Sequence, residues 1–342
     1  MKDSIFYSYE KVLSYGAILN IIIGERGVGK TYGSKVYVIK RFLKKHKKFV
    51  YLRRYESDLE ASVGNNIEEK FFEQVHKEFP NSEFKIVKHK KVRSLIIDGQ
   101  VCGYAMPLSA SASLKSSTYE DVDTIIYDEF QLKDGSGQHY LRNEPEIILD
   151  MIETIGRLRK IKVFLLGNAI SSTSPIMNYF NLTLPYNSDI KLFKDGLILI
   201  NYIKNEKYRE VKKQTDFGKL IEGTKYGEYA IDNVMLTDSK AFIKKKSEGC
   251  HFYFTFVLNY SDYGVWINYN EESMYISKNV DPNCPMKLTI NNDDHSESTL
   301  LVKARVNPYL KNLINYYRSG HLYFESQQLK NIFLAELLRF IY

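Results

Sequence analysis

The chain has 342 residues, 44% of them hydrophobic and 26% charged, too long for one small core and too apolar for wholesale disorder. Its formal charge is +7 and its pI about 8.9, a balance that favours an anionic polymer or an anionic ligand as partner. Three widely separated cysteines leave one unpaired and match no zinc spacing, and no apolar run reaches membrane-spanning length; a reduced, soluble, intracellular protein with no membrane association is expected.

In chain order, ILNIII (Ile18 to Ile23) reads as a buried strand, followed by a helix from Thr31 to His46. KKFVYLRRY (Lys47 to Tyr55) is a second strand ending in two arginines. Phe84 to Leu108 reads as a small meander, turned at Asp98-Gly99 by type I′ chemistry. DTIIYDEF (Asp123 to Phe130) is an apolar strand, Glu144 to Lys160 an amphipathic helix, and IKVFLLGNA (Ile161 to Ala169) another buried strand. This alternation predicts a mostly parallel sheet with flanking helices, an α/β domain over 1–204. A charged stretch of short helices and turns follows as a linker domain over 205–241. The remainder, 242–342, alternates as an antiparallel meander and closes with two helices, a smaller α+β domain.

Gly24, Glu25, Arg26, Gly27, Val28, Gly29, Lys30 and Thr31 match G-x-x-x-x-G-K-[ST] position by position. Glycines let the backbone turn its N–H groups onto phosphate oxygens, and the following helix points its positive end at them. Lys30 would reach the β- and γ-phosphates of ATP, and the Thr31 hydroxyl would ligate Mg²⁺. Asp128 ends the apolar strand TIIYD as the second metal contact, and Glu129 beside it would activate the attacking water. Such an acid pair marks additional-strand ATPases. Asn168, at the end of the next strand, is placed as a polar sensor of the γ-phosphate. Phosphoryl transfer also needs positive charge in the transition state. Arg157 and Arg159 in GRLRK, or Lys115 in the serine-rich LSASASLKSSTY, would supply it to a neighbouring subunit.

Several basic clusters could follow a phosphate backbone without reading sequence: Arg41, Lys44, Lys45, Lys47 and Lys48; Lys85, Lys88, Lys90, Lys91 and Arg93; and Lys244 to Lys246. Arg53 and Arg54 are a further surface facing DNA or nucleotide.

The segments SIFYSYEKVLSYGAILNIIIGERGVGKTYGSKVY, FVYLRRYESDLE, TIIYDEF, LLGNA and FGKLIEGTKYGEYAIDN together resemble the DNA-packaging ATPases of phi-29-like tailed bacteriophages. The resemblance runs through nearly the whole chain in order and weakens after about Phe242. It implies an additional-strand P-loop NTPase domain and a C-terminal domain like an RNase H nuclease that has lost activity. It also implies a homo-oligomeric, pentameric ring at the portal vertex of an empty prohead, with portal protein, a packaging RNA and double-stranded DNA as partners. Such a protein works in the host cytoplasm, docks transiently on the prohead and is absent from the mature virion. By the resemblance Arg157 falls where the family places its trans-acting arginine, with Arg159 one local ambiguity away. The strand HFYFTFVLNY holds no acid, so the two-metal cleavage of a nuclease is not expected. Rival readings are a nucleic-acid-binding assembly switch, another ring translocase or helicase, and a nuclease-competent terminase.

Overall fold

The computed structural model describes residues 6–64, 70–111, 119–133, 138–172, 174–185, 188–232, 241–258 and 260–341. The chain divides into two compact units, Met1–Met177 with Leu182–Thr237 and Asn178–Asn181 with Asp238–Tyr342.

The first unit is built on a nine-stranded sheet. Its strands are β1 (Leu19–Gly24), β2 (Lys48–Arg53), β3 (Phe84–His89), β4 (Val92–Ile97), β5 (Gln100–Pro107), β6 (Val122–Asp128), β7 (Lys162–Asn168), β8 (Ile190–Phe193) and β9 (Ile198–Tyr202). They lie in the order β3-β4-β5-β2-β6-β7-β1-β9-β8. The six from β5 to β9 run parallel, while β3 and β4 at one edge and β8 at the other are antiparallel. Every residue of β1 is buried, as expected of a strand covered on both faces. The helix Lys30–Lys45 begins at Gly29, whose φ of 99° is left-handed, and buries Val38, Ile39 and Phe42 on one face. The type I′ expectation holds at Asp98 and Gly99, with φ of 49° and 76°.

Two features depart from the sequence reading. The hairpin β8–β9 was not among the expected strands, although LILINY follows a turn at Asp195-Gly196. The helix expected to reach Lys160 spans Glu144–Gly156 and stops there, because Arg157 takes φ 48° and its N–H closes on the Glu153 carbonyl at 2.7 Å.

Two arginines read as surface charges are buried. Arg54 is 2% exposed and does not face DNA or nucleotide; it forks onto Glu144 with Nε and Nη2 at 2.8 and 2.9 Å from the two carboxylate oxygens. Its Nη2 also donates to the Phe130 carbonyl at 2.6 Å, so this pair braces the turn that follows Asp128. Arg93 is fully buried against Glu56 and the Gly64 carbonyl, and Arg41 is paired with Asp123. Removing one partner of a buried pair strands the other charge. Arg54→Leu is expected to lower unfolding free energy by about 3–5 kcal/mol, read from urea midpoints at constant slope.

The second unit holds a six-stranded sheet of β10 (His251–Leu258), β11 (Ser261–Asn268), β12 (Ser273–Ser277), β13 (Lys287–Thr289), β14 (Leu300–Leu301) and β15 (Leu322–Phe324). Its order is β14-β13-β10-β11-β12-β15, with β10, β11 and β12 antiparallel and β13 and β14 added in parallel beside β10. Three antiparallel strands are thus continued by two parallel ones next to the first, and β15 closes the other edge in parallel beside β12. Helix Pro308–Arg318, capped by the Asn307 side chain, packs Leu310, Leu313 and Ile314 into the same core as Phe254, Phe256, Leu329 and Phe333.

Candidate active site

β7 lies between β1 and β6, so one strand separates the phosphate loop from the acid pair. Gly24 is in register with Asn168 across β1 and β7, and Asp128 with Leu166 across β6 and β7. The loop, Asn168 and Asp128 therefore meet at the C-terminal ends of neighbouring parallel strands, where ligands of open α/β sheets bind.

The loop's geometry follows from its glycines. Gly27 and Gly29 have φ of 87° and 99°, and a Cβ on Gly27 would stand 2.5 Å from the Tyr208 hydroxyl. The backbone between them can thus turn toward phosphate oxygens where a side chain would block it. Arg26, Gly27, Gly29, Lys30 and Thr31 line a cavity of about 320 Å³ together with Asp128, Glu129 and Asn168. Glu25 and Val28, also expected to bind the ligand, bury their side chains fully and are not among the residues that line the cavity.

Lys30 donates from Nζ to the Gly24 and Glu25 carbonyls at 2.9 and 2.8 Å and to Asn168 Oδ1 at 3.1 Å. Burial lowers its pKa to about 8, against the opposing pull of Asp128 and Glu25. A lysine depressed in the folded state loses its proton before the unfolded chain does, so this group makes folding more favourable as pH rises from about 8 toward its ordinary value. The opposite sign holds for phosphate binding, which needs the ammonium. Affinity for ATP is expected to fall as pH climbs through about 8, and calorimetric titration should show no such fall in a Lys30→Met chain, weak at every pH.

The Thr31 hydroxyl donates to Asp128, 3.1 Å from each carboxylate oxygen. This hydroxyl and carboxylate form a pair of hard oxygen donors at one corner of the cavity, a set that suits Mg²⁺. Asp128 is oriented by the Tyr51 hydroxyl at 2.7 Å and by the Glu129 N–H at 3.1 Å. Burial and the nearby Asp128 raise the Tyr51 pKa well above its usual value, so it stays a donor. Glu129 sits at φ 56°, and its half-open carboxylate accepts from Arg53 Nη2 at 2.6 Å. Tyr51 and Arg53 stand two residues apart on one face of β2, which pairs with β6, and that is how both reach the acids. The doubled arginine was visible in the sequence; that Arg53 binds Glu129 was not.

Neither Arg157 nor Arg159 lines this cavity. Arg157 is exposed on the turn after Gly156, next to a fully exposed Leu158. Arg159 is tied back into its own chain, donating from Nη2 to the Tyr119 carbonyl at 2.9 Å and to the Ile155 carbonyl. Lys115 lies outside the described residues.

A glycine-turned phosphate loop, a Thr31–Asp128 pair and an adjoining glutamate, split by one inserted parallel strand, define an additional-strand P-loop ATPase. Comparison with known proteins narrows this class. The model of the Podovirus DNA encapsidation protein (Gp16) family matches residues 1–340. The DNA packaging protein of Bacillus phage phi29 is 38% identical over 334 residues, 97% of either chain. Among solved structures, the bacteriophage phi29 viral genome packaging motor assembly contains a chain 35% identical, with TM-score 0.75 over 99% of this chain and 100% of that one. The N-terminal domain of the phi29 DNA packaging ATPase is 36% identical with TM-score 0.52, covering 60% of this chain and 100% of its own. The chain belongs to the Podovirus DNA encapsidation protein family.

Proposed function

We propose that this chain is the ATP-driven translocase that packages double-stranded phage DNA into a preformed prohead. The observation that carries this reading is the meeting of Lys30, Thr31, Asp128, Glu129 and Asn168 around one cavity in a member of the encapsidation family. It acts as a homo-oligomeric, pentameric ring at the portal vertex, with a packaging RNA and the portal protein as partners. Its station is the host cytoplasm and then the prohead, and it leaves before the virion matures.

The loop from Gly24 to Thr31 grips the polyphosphate through backbone N–H groups, and Lys30 moves its ammonium from loop carbonyls to phosphate oxygens. A magnesium ion held by Thr31 and Asp128 supplies neutralisation of the phosphate charge when bound. Asn168 keeps its amide beside the γ-phosphate. Glu129 takes the proton of the attacking water. While it is bound to Arg53, one of its oxygens is occupied by the guanidinium and is not free to take that proton. Turnover therefore requires that Glu129 leave Arg53. Arg157 enters the neighbouring protomer's site as the arginine that offsets transition-state charge, a role its exposed turn supports and the internal bonds of Arg159 do not.

Exposed lysines such as Lys44, Lys45, Lys90, Lys91 and Lys245 give DNA affinity without sequence preference. The C-terminal domain binds nucleic acid without cutting it. Strand β10 carries no acid, Asp262 is paired with Lys287 at 2.5 Å, and Asp294 accepts the Tyr260 N–H at 2.6 Å. The test is ATP turnover by the purified chain with and without duplex DNA, alongside DNA uptake into empty proheads. DNA-stimulated turnover and ATP-dependent uptake are expected. Turnover indifferent to DNA, with no uptake, would leave an assembly switch instead.

A further inference from the structure

We infer that Arg209 is a positioning residue, which with Glu25 forms a buried latch on the phosphate loop and carries the loop's state into residues 206–231. The inference rests on reading that loop as an ATP site.

Helix Glu206–Gln214 buries none of its nine residues. Its half-buried side chains are Tyr208, Arg209 and Lys212, spaced i, i+1 and i+4 on one face. All three reach consecutive residues of the phosphate loop. Arg209 Nε donates to Glu25 Oε1 at 2.7 Å. The Tyr208 hydroxyl and Lys212 Nζ both donate to the Arg26 carbonyl, at 3.1 and 2.9 Å. The Tyr208 hydroxyl also occupies the space a Gly27 side chain would need. Apart from the Tyr208 ring, which packs against the first unit's core, the helix takes its position from what its polar face holds, and here that is the loop.

Glu25 is the odd member of this arrangement. Its carboxylate is fully buried beside a site built for anions, with Oε2 making no hydrogen bond among the described residues. Left alone it would repel phosphate and resist burial. Arg209 cancels that charge, so the loop suits an anion only while the helix is in place. The segment is fastened at a second point too. Lys212 Nζ also donates to the Ala230 carbonyl at 2.7 Å, and Ile221, Tyr229, Ala230 and Ile231 pack on Ala169 and Ile170, the residues just after Asn168. Residues 206–231 thus hold both the loop and the turn beyond Asn168, the two parts of the site that flank the γ-phosphate position. A shift of either on binding or release of phosphate moves the segment.

The test uses the full-length chain, a fluorescent ATP analogue and hydrogen exchange over 206–231 before and after adding it. In the parent, nucleotide is expected to change exchange across that segment. Arg209→Leu strands a buried carboxylate and is expected to weaken analogue binding about tenfold or more and to abolish the exchange response. Arg209→Lys keeps the charge and is expected to stay within about threefold of the parent. The double variant Glu25→Leu/Arg209→Leu removes both charges; binding is expected to recover while the segment stays unresponsive. An ion pair serving stability alone would recover both. Parent-like binding and exchange in Arg209→Leu would overturn the latch. If that variant proves unfolded by its melting curve, the double variant decides, and a retained exchange response there refutes the proposal. A parent that binds no analogue would refute the ATP site itself, whereas binding without any change over 206–231 refutes the latch alone.

Discussion

Arg157→Ala is expected to lower ATP turnover of the assembled ring by about 10³–10⁵-fold while nucleotide binding stays near the parent's. The size follows from what the arginine does. Charge builds on the γ-phosphate oxygens only as the bond to the leaving group breaks, so a cation arriving from the neighbour stabilises the transition state more than bound ATP. Arg157 is suited to this by position. It stands on a left-handed turn just past the helix Glu144–Gly156, exposed, with a fully exposed Leu158 beside it. Arg159→Ala serves as the contrast, because its guanidinium is spent on the Tyr119 and Ile155 carbonyls and its loss should appear in thermal stability instead. Turnover of Arg157→Ala within tenfold of the parent would remove the arginine from the mechanism.

The second large effect is at Glu129. Glu129→Gln keeps the shape of the side chain and its contact range to Arg53 but cannot accept a proton, so kcat is expected to drop about 10²–10⁴-fold. Binding of ATP should change little, since Lys30, Thr31 and the loop backbone are untouched. A variant that binds ATP and hydrolyses it at the parental rate would show that the water is activated elsewhere. Arg53→Ala separates two parts of the account. It frees Glu129, and basal turnover without DNA is expected to rise; a fall would show that the cation 3.6 Å from Asp128 matters more to the site than the release of Glu129.

How much of this was legible in the sequence depends on how far apart the cooperating residues are. The phosphate loop is contiguous, and each of its demands is written within eight positions. Asp128 and Glu129 were legible because an apolar strand runs straight into them. The buried arginines were not. Arg54 is charged and adjacent to Arg53, and the acid that neutralises it, Glu144, lies 90 positions away. Arg93 sits among lysines on an alternating strand, and its partners Glu56 and Glu60 belong to a different element. A local reading assigns such charges to solvent because only the fold supplies their counterions. The same holds for Glu25 and Arg209, 184 positions apart. The early end of the helix was not legible because it is set by the positive φ of Arg157, a residue type that gives no stop signal. The β8–β9 hairpin was missed because its outer strand is half exposed and short, with no clear alternation of its own.

The central claim is that a site begun in one protomer is finished by the next, and mixing two dead variants tests it most directly. In a mixed ring, a protomer bearing Arg157→Ala retains Glu129, and a neighbour bearing Glu129→Gln retains Arg157. Some interfaces then hold a complete set of groups, and ATP turnover is predicted to return when the two inactive proteins are combined. If every mixture stays as inactive as its components while parental chains assembled the same way turn over ATP, Arg157 does not act across the interface.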